Sequence, residues 1–370
     1  KQPPPIVPFY LFEGGPFDIL YEANKTHPEE LAWYKRWKHG AEIWFIEAAM
    51  LHPWRTRVWQ DAQLLVLPIP LGFCTKRRIL KPSLISGYEV CGSMVIRALH
   101  AVKRHPALQA KGTERLIMLS TDWALRGKQT FAKTWNLTGF IMGAKNPRDP
   151  DLGQDCDVIV PLTASLPNAS IVSHDDNIND RPIRSFFIGS MQKPTYRVRR
   201  LLKDFMRRAV QNNAGQHVDI YASTDMKNSS KKCEATCMQS PPGCVGCGID
   251  KRASTVPYTL LRQAQFGWHT RGDVTSSNRV YDILTAGAIP LIVGQVLYVS
   301  LPFPGLIPWR SICIDVNFGE QSNAHLRSCQ QEGSDNSLEI RGLEAAREAL
   351  VKHAAGVLWP VDAQRVVTNI

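Results

Sequence analysis

The sequence predicts an α/β protein with two doubly wound, Rossmann-like domains that face each other across a cleft. Three observations favour this class. Strand and helix patterns alternate through both halves of the chain, which at 370 residues is long enough for two domains. A polar loop of the kind that binds phosphate lies in the second half. A content of 44% hydrophobic and 21% charged residues is typical of a globular protein.

The first half begins with a strand-forming run at 6–11, followed by a loop with Glu13 and two glycines that permit close approach of a ligand. Asp122 follows a predicted buried strand at 114–120, where open α/β sheets place ligands and catalytic groups. The alternative for Asp122 is an N-cap. The other elements predicted here are a helix at 41–51, a strand within 61–70, a helix at 88–103 and a strand at 157–162.

Composition changes near residue 180, which predicts a domain boundary there. A strand at 185–190, a basic helix at 195–211 and a strand at 218–221 follow. After a central strand, helix and strand at 258–293 come a strand at 311–316 and a final helix at 338–358. The predicted domains are 1–180 and 181–340, and we expect the C-terminal helical segment 341–370 to pack back toward the first domain.

The segment 258–293 contains the densest polar chemistry of the chain. A short apolar run ends at His269, a polar loop starts near Arg271, and a helix is predicted over 278–286. Gly287 suits the left-handed turn that follows a helix, and 289–293 reads as a buried strand. The loop before such a helix is a favourable place for phosphate, because the first-turn N–H groups lack intrahelical partners.

The side chains of this segment are those that a nucleotide diphosphate needs. Arg271 and Arg279 offer forked donors, and Asp282, one turn after Arg279, can accept from a ribose diol. The alternative is a simple turn and a capped helix, with Arg279 and Asp282 forming a surface ion pair. Hydroxyl donors are supplied by Thr275, Ser276 and Ser277.

The same segment resembles the nucleotide-sugar motif of the exostosin-like glycosyltransferases, the inverting family GT47, which has the GT-B fold. Ile283 and Ala288 depart mildly from the motif, and Thr121 stands where the family has a histidine before its Asp-Trp pair. The positions that match are Arg271, Gly272, Asp273, Ser277, Arg279, Asp282, Gly287, Ile289 and Pro290.

The resemblance implies inverting transfer of a sugar from a UDP-sugar to a hydroxyl of a glycan or a hydroxyproline-rich glycoprotein. Neither a cofactor nor a metal ion is expected, because arginines and a helix N-terminus meet the diphosphate charge. Arg184 and Gly189 are expected to lie near the donor, and Asp122 is the first choice for the general base. Weaker candidates for the base are His174, Asp175, Asp176 and Glu13.

A different reading of the resemblance is a catalytically weak scaffold, or a glycan-binding partner of an active paralogue. The substitution at Thr121 and the missing glutamates before Leu64 leave it open, whereas the intact motif from Arg271 to Asp282 argues against it. In either case a homodimer or heterodimer is compatible with the sequence.

Nine cysteines and four N-glycosylation sequons favour an oxidising lumen. An odd cysteine number leaves at least one thiol free or paired between chains. The resemblance implies a type II Golgi protein whose membrane anchor is missing here, or an ER or processed secreted form. The sequons begin at Asn24, Asn136, Asn168 and Asn228, and the disulfide candidates, which could alternatively bind zinc, are Cys233, Cys237, Cys244 and Cys247.

The net charge of +11 and a pI near 9.3 indicate an anionic partner. No motif of aromatic and basic residues typical of nucleic-acid binding is present in the sequence, so we do not expect the protein to bind nucleic acid. A UDP-sugar or an acidic glycan is an anionic partner that would be attracted by the same positive charge. The basic helix at 195–211 is interpreted as a solvated face.

Overall fold

The computed structural model describes residues 6–36, 40–70, 72–74, 86–120, 140–142, 158–159, 161, 163–164, 177–190, 197–212, 218–223, 243–248, 256–271, 277–294, 301–303, 305–318, 324–327, 341–358 and 366. The chain divides into two compact units. The first unit comprises residues 1–163 and 362–370, and the second comprises residues 164–361. The division at 164 lies before the boundary that the sequence predicts near 180.

The described strands of the first unit form one parallel sheet in the order β2-β1-β3-β4-β5-β6. Its strands are β1 (Phe9–Leu11), β2 (Arg55–Thr56), β3 (Leu64–Val66), β4 (Leu116–Ser120), β5 (Phe140–Met142) and β6 (Val158–Ile159). Its helices are α1 (Ile19–Thr26), α2 (Pro28–Arg36), α3 (Ala41–Leu51), α4 (Ser86–Arg104) and α5 (Pro106–Lys111).

Helix α3 forms where the sequence predicts it and is buried on most sides, which fits a segment that is apolar all round. Its one buried charge, Glu42, is fully enclosed. The Glu42 carboxylate accepts a hydrogen bond of 2.7 Å from the backbone N–H of Gly72, so this buried charge is satisfied by main-chain donors. Glu42 therefore has a structural role in the first unit.

The second unit contains a sheet in the order β13-β12-β11-β10-β7-β8-β9, parallel except for the edge pair β12 and β13. Its strands are β7 (Ile183–Gly189), β8 (Val218–Ser223), β9 (Gly243–Gly248), β10 (Ala264–His269), β11 (Ile289–Val293), β12 (Ile314–Phe318) and β13 (Ala324–Arg327). Its helices are α6 (Arg197–Asn212), α7 (Val256–Arg262), α8 (Arg279–Thr285), α9 (Trp309–Ile312) and α10 (Arg341–His353).

Helices cover both faces of this sheet. Successive residues of a strand point to opposite faces, and the neighbours Phe186 and Phe187 show this directly. Phe187 packs in a cluster with Leu202 and Met206 of α6, whereas Phe186 packs in a separate cluster with Ile283 of α8. Helices α6 and α8 therefore lie on opposite faces, as in a doubly wound fold.

Helix α10, which begins the segment 341–370 that the sequence predicted to pack toward the first domain, packs on the second sheet. Its residue Ala346 joins the same cluster as Phe187, and Arg347 donates a hydrogen bond to the carbonyl of Gly287. Its apolar side chains complete the core of the second unit. Of the C-terminal segment 341–370, only residues 362–370 belong to the first unit.

The turn at the end of α8 confirms the prediction for Gly287. Gly287 has a φ of 66°. Its backbone N–H donates a hydrogen bond to the carbonyl of Leu284 at 3.0 Å, and the N–H of Ala288 donates to the carbonyl of Ile283 at 3.1 Å. These two bonds define the Schellman motif, which favours glycine at its left-handed position.

Gly267 in β10 allows α8 to approach the sheet closely. A Cβ atom at this position would lie 2.5 Å from Cγ1 of Ile283, which is closer than real contacts allow. This contact sets the position of α8 and hence of the polar residues that the helix carries.

We therefore expect Gly267→Ala to lower the free energy of unfolding by about 1–3 kcal/mol, because overpacking displaces the helix. Urea unfolding measures the change. Gly305→Ala is the control, since an added Cβ there meets nothing within 4 Å. Equal stability of the two variants would show that α8 moves aside without cost.

Candidate functional site

The carboxyl ends of β7 and β10 form the topological switch point of the second sheet. From β7 the chain passes through α6 to β8 on one side, and from β10 it passes through α8 to β11 on the other. The two helices diverge onto opposite faces, which opens a crevice above the two strand ends. Open α/β sheets bind their ligands in this position.

Arg279 begins α8 at this switch point. Its guanidinium lies over the ring of Phe187 at 4.9 Å from the ring centre, so a cation–π contact orients it. Phe187 belongs to β7, and Arg279 thus joins the start of α8 to the end of that strand. The side chain is half-buried, which leaves part of it accessible to a ligand.

Arg199 reaches the same place from α6. It is only 6% exposed, and its guanidinium donates a hydrogen bond of 2.8 Å to the carbonyl of Ser190, just after β7. A Cβ at Gly189 would lie 3.4 Å from this guanidinium and closer still to the Phe187 ring. Gly189, predicted to lie near the donor, occupies the end of β7 and makes room for both groups.

His269 ends β10 between these two arginines. It is 1% exposed, and burial lowers the pKa of its imidazole from 6.5 to about 3. The charges of Arg279 and then Arg199 add to the effect of burial in lowering the pKa to this value, so both guanidinium groups act on the ring. The site thus combines two cations with one imidazole that is neutral at physiological pH.

Two further side chains continue this edge. The Thr270 hydroxyl is fully buried, and Arg271 is half-buried and forms no ion pair with any described residue. The carboxyl end of β10 therefore carries three consecutive side chains with hydrogen-bonding capacity, of which the sequence predicted only Arg271.

The start of α8 is organised by its own polar residues. The Ser277 hydroxyl accepts from the backbone N–H of Arg279 at 3.3 Å, and the Asn278 amide donates to the Asp282 carboxylate at 3.0 Å. Asp282 and Arg279 line one small cavity, together with apolar side chains. The apolar lining residues are Phe186, Ile188, Leu261, Trp268 and Ile283.

Arg184, which the sequence predicted to lie near the donor, does not lie at this edge of the sheet. It stands at the amino end of β7, whereas the arginines of the switch point stand at the carboxyl end. Its guanidinium pairs with the buried carboxylate of Asp219 in β8 through Nε at 3.1 Å and through Nη2. Arg184 joins two strands and is not available to a ligand at the switch point.

Glu13 follows β1 in the first unit and forms an ion pair with Arg55 of β2. It is more than half exposed, and its charge helps to raise the pKa of the Tyr10 phenol, after the larger effect of burial. Of the predicted base candidates, Glu13 is the one within the described part of the chain. The others, Asp122, His174, Asp175 and Asp176, lie outside the described residues.

The predicted glycosylation sites and cysteines lie partly within the described residues and partly outside them. Asn24 is exposed on α1, which is compatible with glycan attachment. Cys244 and Cys247 lie on β9, where the backbone alone is described. Cys74 is disulfide-bonded, and Cys313 is buried. Not described are Gly272, Asp273, Thr275, Ser276, Asn136, Asn168, Asn228, Cys233 and Cys237.

Within the described ranges, no group of three or more His, Cys, Asp or Glu side chains is arranged to hold a metal ion. The same part of the chain has no helix of the length and hydrophobicity that a membrane span requires.

A model of the Exostosin GT47 domain matches residues 20–326, more than four-fifths of the chain. The chain belongs to the exostosin GT47 family. This is a family of glycosyltransferases whose members are generally Golgi-resident. No curated protein matches the chain.

In this GT47 protein, Arg199, His269 and Thr270 belong to the site although the sequence pattern did not predict them as site residues. A signal for Arg199 was present, because it lies three and seven residues before the buried Leu202 and Met206 and therefore on the same side of α6. His269 and Thr270 follow an apolar run and carry no such periodic signal.

Proposed function

We propose that this GT47 protein is an inverting, metal-independent transferase that moves a sugar from a UDP-sugar to a hydroxyl of a glycan or glycoprotein in the Golgi lumen. One observation carries the proposal. Two guanidinium groups, of Arg279 over the ring of Phe187 and of Arg199 beside Gly189, reach the carboxyl end of β7 from helices on opposite faces of the second sheet. Of the residues that match the family's nucleotide-sugar motif, Arg271, Ser277 and Arg279 lie at this sheet edge, and Asp282 follows one turn into α8.

The proposed chemistry places the developing charge of the leaving UDP between Arg199 and Arg279. Arginine forks match phosphate oxygens and are already oriented here, so they stabilise the transition state without costly rearrangement. Arg271 supplies a third cation from the loop side. Asp282 would accept a hydrogen bond from the ribose. In this proposal the guanidinium groups replace a divalent ion, and transfer should persist in EDTA.

The acceptor and the general base belong to the first unit in this proposal, following the GT-B arrangement that the family resemblance implies. Asp122 would remove the acceptor proton. Loss of transfer with retained UDP binding in Asp122→Asn would support this role, and full turnover would exclude it.

UDP binding is the direct test. We expect UDP at 100 times its dissociation constant to stabilise the protein by about 2.7 kcal/mol, which thermal unfolding detects. CDP, which carries cytosine in place of uracil, and uridine, which lacks the diphosphate, serve as matched control ligands. Products of UDP-sugars incubated with glycan acceptors then identify the transfer.

A protein that gains no stability from UDP or any UDP-sugar would contradict the proposal. Clear UDP binding without transfer to any acceptor would favour the scaffold or glycan-binding alternative. Loss of transfer in EDTA with unchanged UDP binding would contradict metal independence alone.

A further inference from the structure

Two buried polar side chains at the carboxyl end of β10 are left over from the internal hydrogen bonding of the second unit. The Nδ1 atom of His269 and the Oγ1 atom of Thr270 form no hydrogen bond with any residue that the structure describes. Both side chains are at most 1% exposed. An unsatisfied polar group at this depth costs about 1–3 kcal/mol, so proteins retain such groups chiefly where something binds them.

The position of this pair points to the ligand. His269 shares a sheet face with Gly267, the face that α8 covers, and the charges of Arg279 and Arg199 both act on its ring. An anion bound by these guanidinium groups therefore also lies within electrostatic reach of the imidazole. Thr270 is the next residue along the same strand end.

We propose that His269, through Nδ1–H, and Thr270, through its hydroxyl, donate uncharged hydrogen bonds to the diphosphate of the nucleotide. This inference rests on the proposed function and adds two positioning residues to it. It also explains the residue type at 269, because another cation there would be repelled by both Arg199 and Arg279, whereas a neutral imidazole donates a bond without that cost. Burial keeps the ring in this neutral form at physiological pH.

The test is calorimetric titration of the full chain with UDP, using pairs of variants that differ in one hydrogen bond. Thr270→Val keeps the volume and loses the hydroxyl, whereas Thr270→Ser keeps it. His269→Asn retains an N–H near the position of Nδ1, whereas His269→Leu does not. We expect Thr270→Val and His269→Leu each to bind UDP roughly tenfold more weakly, and the serine and asparagine variants to stay within about threefold of the parent.

A second readout separates this role from a purely structural one. Without ligand, Thr270→Val should unfold at the same temperature as the parent or a higher one, because it removes an unsatisfied hydroxyl. Uridine, which lacks phosphate, should bind the parent and Thr270→Val equally. Equal UDP affinity of Thr270→Val and the parent would overturn the inference while the proposed function stands. A parallel loss of uridine affinity would overturn the diphosphate assignment, and a parent that does not bind UDP would remove the proposed function itself.

Discussion

Replacing Arg279 by alanine is expected to weaken UDP binding by about 30-fold or more, equivalent to about 2 kcal/mol. The guanidinium stands over Phe187 at 4.9 Å and faces the crevice between β7 and β10, so it is oriented before any ligand arrives. A charge-assisted bond from such a group is worth more than a neutral one. Titration with UDP measures the loss, and initial rates with a UDP-sugar measure its effect on transfer.

Two variants sharpen this prediction. Arg279→Lys keeps the charge but loses the fork and much of the stacking, and we expect an intermediate affinity. Arg207→Ala removes an exposed arginine of α6 whose partner is the exposed Asp204, and it should bind UDP as the parent does. Unchanged affinity in Arg279→Ala would exclude the switch point as the diphosphate site.

Replacing Arg184 by alanine is expected to lower the free energy of unfolding by about 3 kcal/mol and to leave UDP affinity unchanged. Asp219 is only 3% exposed at its side chain, and removal of Arg184 leaves that carboxylate without its charged partner. The Ser185 hydroxyl, which donates to the same carboxylate at 2.6 Å, compensates only in part. Chemical denaturation measures the loss of stability.

The exposed pair of Arg207 with Asp204 is again the control, because surface ion pairs contribute about 0–1 kcal/mol. If Arg184→Ala proved as stable as Arg207→Ala, the bond between β7 and β8 would be dispensable. If the folded variant lost UDP binding, Arg184 would act on the donor despite its place at the amino end of the strand.

Sequence patterns predicted the helices and strands best where local and tertiary preferences agree. The predicted helix 41–51 and strand 289–293 coincide with α3 and β11. The predicted strand at 311–316 was partly wrong, because its first residues belong to the short helix α9. Strand β9 was missed, since Gly243–Gly248 has weak strand preference and is ordered by pairing with β8.

The site was predictable in part for the same reason. Arg279 and Asp282 follow from helical spacing within one segment, and that segment also carries the family motif. Arg184 and Arg199 needed information about topology. Arg184 lies at the start of β7, and Arg199 lies in α6, the helix that follows this strand. Only the direction of β7 and the packing of α6 decide which of the two arginines reaches the carboxyl edge of the sheet.

The hydrogen bond from Arg347 to the carbonyl of Gly287 has a practical consequence for shortened versions of this protein. A recombinant fragment that stopped at residue 340 would lose the clamp on the turn between α8 and β11. It would also expose to solvent the apolar surface that Ala346 and Leu350 now cover. Such a fragment should be prone to aggregation, and a fragment intended for nucleotide-binding experiments should retain the whole of α10.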